Sequence, residues 1–298
     1  MNSGPLYGGI EAGGTKFICA VGSGPEQIIS KTRIATTTPD ETLEQVVHFF
    51  RPFAIERTIS RIGVGSFGPL DLDPASGTYG SITATTKPGW SNTDIVGRLQ
   101  RDLEVIVSFD TDVDVAALSE FTWGAGRSLD PLLYLTIGTG IGGGCVKDGK
   151  PLRGLLHPEM GHVRLPHDLL QDPFSGACPF HGDCFEGLAC GPAIAKRLGV
   201  AADQLADDHP YWATEAHYVA LALQGFIVTL SPRRIILGGG IMQRAFLFDL
   251  IRKDVQLLLN GYVRHPLLLD HIDEYILPPL LGTQAGVLGA IALARLDS

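Results

Sequence analysis

The sequence lacks an excess of basic residues, a bilayer-length apolar run and an export signal. Its 23 Lys and Arg are outnumbered by 32 Asp and Glu, giving a formal net charge of −9. Nucleic acid is disfavoured as a partner because phosphate backbones attract basic surfaces. The most apolar stretches, such as 218–230, are too short and too interrupted to cross a membrane, and residues 1–6 have neither the basic nor the apolar region of a signal peptide. These absences predict a cytoplasmic protein without a nucleic-acid or membrane partner.

Cysteine is scarce as well. Five cysteines in a cytoplasmic chain are expected to be reduced or metal-bound rather than paired in disulfides. Cys19, Cys145 and Cys190 have apolar or tight sequence surroundings, which are typical of packed thiols. Cys178 and Cys184 lie instead in a segment that contains Pro, Gly and His.

What is present is an ordinary globular composition of 298 residues, 45% hydrophobic and 18% charged, enough for about two domains. Strand-like and helix-like segments alternate, and this alternation predicts an α/β fold. Short apolar runs at 7–10 and 17–21 flank a glycine-rich turn and predict a β-hairpin. Other segments with a regular pattern predict strands at 62–64 and 105–109 and helices at 41–53, 92–103 and 113–123.

The second half of the chain repeats the first in outline. Residues 132–147 again predict a strand, a glycine-threonine turn and a strand, and 234–240 resemble 61–66. The second copy carries extra length, which contains His and Cys. We therefore predict two related α/β domains with the C-terminal helix able to pack back on the first. The predicted domains are residues 1–113 and 114–298.

The two glycine-rich turns are candidate phosphate sites. Glycine lets backbone N–H groups converge on an anion. Thr15 and Thr139 add hydroxyl donors, and Lys16 adds a cation. Either turn alone is equally compatible with a plain hairpin. Because both occur at matching places of two similar domains, they favour phosphate binding.

The second turn also satisfies the dinucleotide pattern G-x-G-x-x-G over 138–143. That pattern requires a helix directly after the glycines, whereas 145–149 predicts a strand and a further turn. The Walker pattern, with Gly-Lys-Ser/Thr after four residues, is absent from both turns. A nicotinamide-dependent dehydrogenase is therefore disfavoured.

A candidate catalytic carboxylate lies in Asp110-Thr111-Asp112-Val113-Asp114, after a predicted strand and at the start of a predicted helix. Ligands gather at the carboxyl ends of strands in α/β sheets. Phosphoryl transfer to a hydroxyl needs a carboxylate that accepts the hydroxyl proton. Acidic residues are also favoured at helix N-termini as caps. From the residues alone, both interpretations of Asp110 and Asp114 stay open, and nothing singles out Asp112.

A metal site is predicted in segment 157–190. Four residues have the spacing and chemistry of a Cys₂His₂ zinc site, namely Cys178, His181, Cys184 and, sixteen positions before Cys178, His162. A reduced thiol pair with incidental histidines is the alternative. Four protein ligands would close the coordination shell, so the Zn²⁺ would be structural. Two rival ligands stay open, namely His157 and His167.

Eight segments follow one another along nearly the whole chain. They are Gly9-Ile10-Glu11-Ala12-Gly13-Gly14-Thr15-Lys16, Phe67-Gly68-Pro69-Leu70-Asp71, Thr86-Lys87-Pro88-Gly89-Trp90, Asp110-Thr111-Asp112-Val113-Asp114, 138–144, His157-Pro158-Glu159-Met160-Gly161-His162, 178–186 and Gly238-Gly239-Gly240. Each alone is modest evidence, but the ordered set is specific. It resembles the ROK family (repressors, open reading frames and sugar kinases), and within it the bacterial fructokinases.

The resemblance implies a two-domain, actin-like ATPase (ribonuclease H-like) sugar kinase fold. It places ATP and sugar in an active-site cleft between domains that close on binding, and a homodimer is the family expectation. The implied activity is ATP-dependent phosphorylation of a hexose, most closely D-fructose to fructose 6-phosphate, with mannose or glucose as alternatives. The resemblance implies that Mg²⁺ bridges the ATP phosphates and is held by Glu11 through a water molecule.

The resemblance also assigns roles by motif. Asp112 is implied to be the general base, and His162 to serve both sugar and zinc. The implied sugar-binding residues are Gly68, Pro69, Thr111, Glu159, His162 and Glu186. The implied ATP- and phosphate-binding residues are Glu11, Gly13, Gly14, Thr15, Lys16, Gly138, Thr139, Gly140, Gly238, Gly239 and Gly240. The implied zinc ligands are His162, Cys178, His181 and Cys184.

Three departures from the family pattern bear on function. Many members have Asp at position 11 and Asn at position 111, whereas this chain has Glu11 and Thr111. The fructokinase branch usually has Glu and Thr there, so these residues narrow the choice of substrate. Asp114 stands where that branch has Asn. It would raise the pKa of Asp112 if both faced the cleft, but it is expected to point to solvent at the helix start. Cys190 replaces a small serine, which is expected to be a tolerated packing change.

A sugar-responsive repressor is the main non-enzyme alternative, since the same family contains such proteins. Repressors carry a helix-turn-helix ahead of the sugar domain, whereas the first strand here is expected at about Tyr7, and the acidic balance disfavours DNA. A non-catalytic sugar sensor would need neither both intact phosphate turns nor Asp112. The sequence therefore favours a kinase.

Overall fold

The computed structural model describes residues 5–296, so the segment 1–6 that bears on a signal peptide lies largely outside the described residues. The chain divides into two compact units. The first contains the chain up to Arg127, Gly149–His157 and the segment from Leu281 onward, and the second contains Ser128–Asp148 and Pro158–Leu280. Across the described range, no helix is both long enough and apolar enough to cross a membrane.

The first unit is built on a five-stranded sheet. Its elements in chain order are β1 (Leu6–Ala12), β2 (Lys16–Gly24), β3 (Gln27–Ala35), β4 (Ile59–Ser66), the short pair β5 (Ser81–Ile82) and β6 (Thr93–Asp94), and β7 (Ile106–Thr111). The sheet order is β3-β2-β1-β4-β7. β1 pairs antiparallel with β2 and parallel with β4, and β4 pairs parallel with β7. The predicted hairpin is confirmed.

Three helices of this unit follow the sheet strands in sequence, namely α1 (Pro39–Ile55), α2 (Ile95–Leu103) and α3 (Asp112–Thr122). α1 begins after Thr38, whose hydroxyl accepts a hydrogen bond from the Glu41 amide, and its apolar face, Leu43, Val46, Val47 and Phe50, is buried. The predicted start of α2 is wrong. Asn92 has a φ of 60°, and Asp94 caps the helix by accepting from the Gly97 amide at 2.7 Å.

The last helix of the chain, α10 (Ala285–Leu296), belongs to the first unit, where it packs on α3, β1 and β4. The contact with α3 is close, since a Cβ at Gly289 would lie 1.7 Å from the Val115 carbonyl oxygen. The predicted boundary at residue 113 falls too early because it would cut α3 at its second residue. The unit continues through α3 to Arg127 and also includes β10 (Lys150–Pro151).

The second unit repeats the pattern of a hairpin beside two parallel strands. Its strands are β8 (Leu132–Ile137), β9 (Ile141–Lys147), β11 (Arg234–Gly238) and β12 (Ile276–Leu277). β8 pairs antiparallel with β9 and parallel with β11, which pairs parallel with β12. Its helices are α4 (Phe185–Ala189), α5 (Gly191–Leu198), α6 (Tyr211–Leu230), α7 (Phe246–Leu259), α8 (Pro266–Leu269) and α9 (Ile272–Tyr275). The predicted internal repeat is confirmed.

The second glycine-rich turn is shorter than predicted. β9 begins at Ile141, and the glycines at 142–144 pair with 134–136 of β8. The turn is therefore confined to Gly138-Thr139-Gly140, which makes it the counterpart of Gly13-Gly14-Thr15 between β1 and β2.

Candidate active site

The register of the first sheet brings three predicted groups of residues to one edge. Ala12 pairs with Ser66, and Ser66 pairs with Thr111, so β1, β4 and β7 end side by side. The first glycine turn follows β1, the exposed Gly68 and Pro69 follow β4, and Asp112 follows β7. The carboxyl edge of parallel strands is where α/β proteins place ligands.

The first turn offers unpaired backbone donors. The Gly13 amide donates to the Lys16 carbonyl at 3.0 Å, and the Thr36 amide donates to the Thr15 carbonyl at 3.1 Å. Over residues 5–296, the amides of Gly14 and Thr15 donate to no protein acceptor. Two adjacent N–H groups beside the Lys16 cation form a surface suited to an anion.

Asp112 is the first residue of α3, and its Oδ1 accepts from the Val113 amide at 2.9 Å. The residue is accessible to solvent, yet desolvation by the surrounding protein raises the pKa of its carboxyl to about 6. The nearby Glu11 carboxylate adds to this rise, and His157 opposes it. Water reaches this residue at the surface, while the protein atoms packed around its carboxyl disfavour the charged form and so raise the pKa.

Glu11 lies on β1 opposite Gly65 of β4. Burial raises the pKa of its carboxyl, while Lys16, Lys31 and a hydrogen bond from the Val287 amide act in the opposite direction. Val287 lies in the first turn of α10, whose N-terminus favours a negative group. Glu11 is a carboxylate, the kind of ligand that Mg²⁺ takes from proteins alongside phosphate oxygens, so the site chemistry fits this ion.

The expectation that Asp114 points to solvent is wrong. The residue is only 1% exposed, and its Oδ2 accepts a hydrogen bond from the Thr111 hydroxyl at 2.9 Å. The alternative that Asp114 raises the pKa of Asp112 is not supported either, because Glu11 is the carboxylate with that effect. Thr111 is itself buried, with its hydroxyl proton directed to Asp114 rather than to solvent.

Sequence reasoning missed Arg153. Its Nη2 lies 2.6 Å from Oδ2 of the fully buried Asp110 and 3.3 Å from the Phe109 carbonyl oxygen. No motif marks Arg153, because the pairing joins residues 43 positions apart. The structure thus makes Asp110 part of a buried ion pair, and of the three aspartates in this segment only Asp112 is accessible.

The second turn has a similar set of unpaired donors. The Gly138 amide donates to the Gly140 carbonyl at 2.9 Å. Within the described part of the chain, the amides of Thr139 and Gly140 donate to no protein acceptor. Glu186 supports the turn from α4, since its Oε2 accepts from the Ile141 amide at 2.9 Å. One oxygen of the predicted sugar-binding Glu186 is thus engaged by the turn.

Residues 238–240 lie against this second turn. β11 runs parallel to β8 with Gly238 opposite Thr136, and a Cβ at Gly138 would lie 3.5 Å from the Gly240 amide nitrogen. Gly239 has a φ of 94°, and a Cβ there would lie 2.3 Å from the Ile137 carbonyl oxygen. Only glycine fits this close approach. The structure therefore brings two predicted nucleotide-binding segments of the second unit together.

The four predicted zinc ligands form one cluster. The candidate ligand atoms of His162, Cys178, His181 and Cys184 all lie within 4.8 Å of one another. His162 Nδ1 lies 3.8 Å from Cys178 Sγ and 3.6 Å from Cys184 Sγ, and His181 Nδ1 lies 3.7 Å from Cys178 Sγ. A tetrahedron of zinc–sulfur and zinc–nitrogen bonds has edges of about 3.4–3.8 Å, so these residues fit the ion.

Neither rival histidine belongs to this cluster. His167 Nδ1 lies 3.2 Å from Asp183 Oδ2, and its Nε2 lies 3.0 Å from the Asp172 carbonyl oxygen, so both ring nitrogens face protein acceptors. His157 is not among the described residues whose candidate ligand atoms gather there. Glu159 is exposed at the start of the short 3₁₀ helix Met160–His162, next to the cluster in sequence.

The comparisons with known proteins agree over nearly the full length. The profile of the ROK family matches residues 7–296. A Bacillus subtilis (strain 168) protein, provisionally named a fructokinase, is 48% identical over 97% of this chain and 95% of its own length. A Lactococcus lactis subsp. cremoris fructokinase is 42% identical over 97% of this chain and 96% of its own.

Among solved structures, the ROK hexokinase from Thermus thermophilus is 28% identical, with a TM-score of 0.82 and 98% of each chain covered. This similarity supports the predicted two-domain, actin-like kinase fold. Since the family profile and the fructokinase relatives both span almost the whole sequence, this chain belongs to the ROK family.

Proposed function

We propose that the protein is a fructokinase, which transfers the γ-phosphoryl group of ATP to D-fructose and forms fructose 6-phosphate and ADP. The observation that carries the proposal is Asp112, an accessible carboxylate of raised pKa at a sheet edge that also presents the unpaired amides of Gly14 and Thr15. The choice of fructose is supported by relatives named fructokinase at 42–48% identity.

Asp112 acts as the general base in this proposal. As the sugar hydroxyl oxygen bonds to the γ-phosphorus, its proton passes to the Asp112 carboxylate, and the bond to the ADP oxygen breaks. A pKa of about 6 leaves most of the carboxyl ionised at pH 7 while keeping it basic enough to accept a proton. Glu11 contributes by raising that basicity.

The two glycine turns hold the phosphates of ATP, since each presents two unpaired amide N–H groups. Lys16 adds positive charge at the first turn, and residues 238–240 lie near the adenosine. Mg²⁺, when bound, neutralises phosphate charge, and Glu11 is the residue that would hold it through water. Glu159, His162 and Glu186 contact the sugar, with Gly68, Pro69 and Thr111 shaping its site.

His162, Cys178, His181 and Cys184 hold one structural Zn²⁺. The ligand set supports this proposal, because four Cys and His side chains close a tetrahedral shell and leave no position for substrate. Arg164 stabilises the surrounding turn by contacting both Asp183 and the His181 carbonyl. A homodimer and a cytoplasmic location remain expectations from the family resemblance.

A kinase for mannose or glucose is the nearest alternative, because the pockets for these hexoses differ by only a few hydroxyl contacts. A non-catalytic sugar sensor is the second alternative. The accessible carboxylate of Asp112 and the paired sets of free amides favour catalysis over sensing.

We expect fructose to give the highest kcat/KM in a panel with mannose, glucose and N-acetylmannosamine, measured by ADP release with Mg-ATP. A missing hydroxyl contact at a polar sugar site costs about 10- to 100-fold or more in kcat/KM, so the ranking should be clear. A higher kcat/KM for mannose or glucose would replace fructose as the substrate and leave the kinase assignment intact.

The kcat/KM for fructose should fall on the acid side with an apparent pKa near 6. Asp112 accepts a proton only as the carboxylate, so below its pKa of about 6 the active fraction drops about tenfold for each pH unit. The measurement is kcat/KM between pH 5 and 8 in protein shown to stay folded. A flat profile down to pH 5 would contradict the raised pKa of Asp112.

A further inference from the structure

Two carboxyl groups are buried together behind the proposed catalytic residue with a single cation to neutralise them. Asp110 is 0% exposed and Asp114 is 1% exposed. Arg153 forms its ion pair with Asp110, through Nη2 at 2.6 Å from Oδ2. One guanidinium balances one carboxylate, so the second carboxyl would carry an uncompensated buried charge if it were ionised.

The hydrogen bonds identify Asp114 as the second, uncompensated carboxyl. Its Oδ2 accepts from the Thr111 hydroxyl at 2.9 Å, and its amide donates back to the same hydroxyl oxygen at 3.1 Å. None of the described residues donates a hydrogen bond to its buried Oδ1, and its carboxyl lies within hydrogen-bonding reach of the Asp110 carboxyl. An ionised carboxylate with a bare oxygen beside Asp110 is disfavoured both by desolvation and by like-charge repulsion, and a proton on Asp114 removes both penalties.

Among the described residues, Arg153 is the cation that acts on Asp114, and the other elements packed around this pair supply no second one. α10 packs on α3 and carries no charged residue from Ala285 to Ala294. The carboxyl end of β4 contributes Gly65 and Ser66, which are uncharged. Tyr79 adds a phenol whose charged form would raise the pKa of the Arg153 guanidinium. Glu11, Asp112 and His157 form the adjacent group at the start of α3. The pKa of Asp114 is accordingly raised well above its ordinary value, by burial first and then by the charge of Asp110.

We propose that Asp114 is a neutral carboxylic acid in the working enzyme and a positioning residue for the general base, because it fixes Thr111, the residue that caps α3 immediately before Asp112. This inference rests on the proposed function of Asp112. The reciprocal pair of hydrogen bonds directs the Thr111 hydroxyl proton to Asp114 and sets where the first helical residue begins. Because Asp112 is the first helical residue, the capping hydrogen bonds of Thr111 fix the position of the Asp112 carboxylate.

Protonation of Asp114 is tested directly by infrared spectroscopy at pH 7, as the difference between the wild type and Asp114→Asn. The expected result is a protonated-carboxyl band in the wild type that the variant lacks. Glu215, a buried acid whose pKa is raised to about 8, is present in both proteins and cancels. An absent band, with both proteins folded, would overturn the neutral state, whether or not the protein phosphorylates any sugar.

Stability supplies a second readout. A folded-state pKa above the unfolded value means that the folded protein binds the extra proton, so its stability falls as pH rises from about 4 through the folded pKa. Asp114→Asn removes this proton uptake. We therefore expect the Tm of the variant to decline less than that of the wild type between pH 5 and 9. Parallel declines would contradict the proposal.

The positioning role is tested by comparing Asp114→Ala with Asp114→Asn. Alanine removes the acceptor of the Thr111 hydroxyl, and we expect kcat to fall about 10- to 100-fold, as for a misplaced reacting group, with KM for ATP changed by less than about twofold. Asparagine retains a neutral acceptor and should restore most of that kcat. Equal kcat in the alanine variant and the wild type, or no rescue by asparagine, would overturn the positioning role while leaving Asp112 as the base.

Discussion

We expect the replacement of Asp112 with Asn to lower kcat by about 10²- to 10⁴-fold, the range typical for loss of a general base. The amide keeps the shape of the side chain and can still accept from the Val113 amide, but it cannot take the sugar proton. Because the residue is accessible at the helix start, the fold should be undisturbed. We expect an unchanged Tm and a fructose dissociation constant within about threefold of the wild type, measured by calorimetry.

Asp148→Asn is the matched control. It makes the same chemical change at a side chain that is 83% exposed and pairs with Lys147 at the surface. This variant should keep wild-type turnover. If Asp112→Asn also phosphorylated fructose at near the wild-type rate, Asp112 would not be the general base. The proposed phosphate-binding turns would not be affected by that result.

We expect the replacement of Cys184 with Ser to abolish binding of the proposed Zn²⁺ and to destabilise the second unit. Cys184 is fully buried in the cluster, and its Sγ lies 3.6 Å from His162 Nδ1. If only a third of the about 10–16 kcal/mol seen for structural zinc supports this unit, the loss is about 3–5 kcal/mol. At about 2–4 °C per kcal/mol for a unit of this size, Tm should fall by about 6–20 °C.

Cys190→Ser provides the control for this prediction, because it changes another buried cysteine that lies outside the cluster. Elemental analysis should find one zinc per chain in the wild type and in Cys190→Ser, and none in Cys184→Ser. A wild-type protein that is metal-free and fully stable, or a Cys184→Ser variant that retains zinc, would contradict the proposal that the cluster binds a structural Zn²⁺.

The elements that the sequence predicted correctly are those with strong local patterns. α1 has a cap at Thr38 and an apolar face with helical spacing, and the β1–β2 hairpin has apolar runs around a glycine turn. β3 was not predicted, because Gln27–Ala35 contains no apolar run longer than Ile28-Ile29 and has four consecutive polar residues at 30–33; most of its residues are partly buried or exposed. The second turn was predicted too long because glycines 142–144 are strand residues in β9.

At the candidate site too, local motifs were predicted correctly, whereas contacts between residues far apart in sequence were not. The motifs brought Asp112, both turns and the zinc cluster to attention, and the structure places the members of each group together. They could not reveal that Asp114 is buried beside the ion pair of Asp110 with Arg153, because Arg153 lies far away in sequence. A carboxylate at a helix start looks solvent-exposed until the distant element that covers it is known.

The measurement that tests the central claim most directly is product analysis of the zinc-loaded protein with Mg-ATP and D-fructose. The account predicts that ADP and fructose 6-phosphate form in equal amounts, identified by phosphorus NMR, and that neither forms without sugar. Folded, zinc-loaded protein that transfers no phosphate to fructose or to any other hexose would contradict the account and indicate a sugar sensor with a kinase fold.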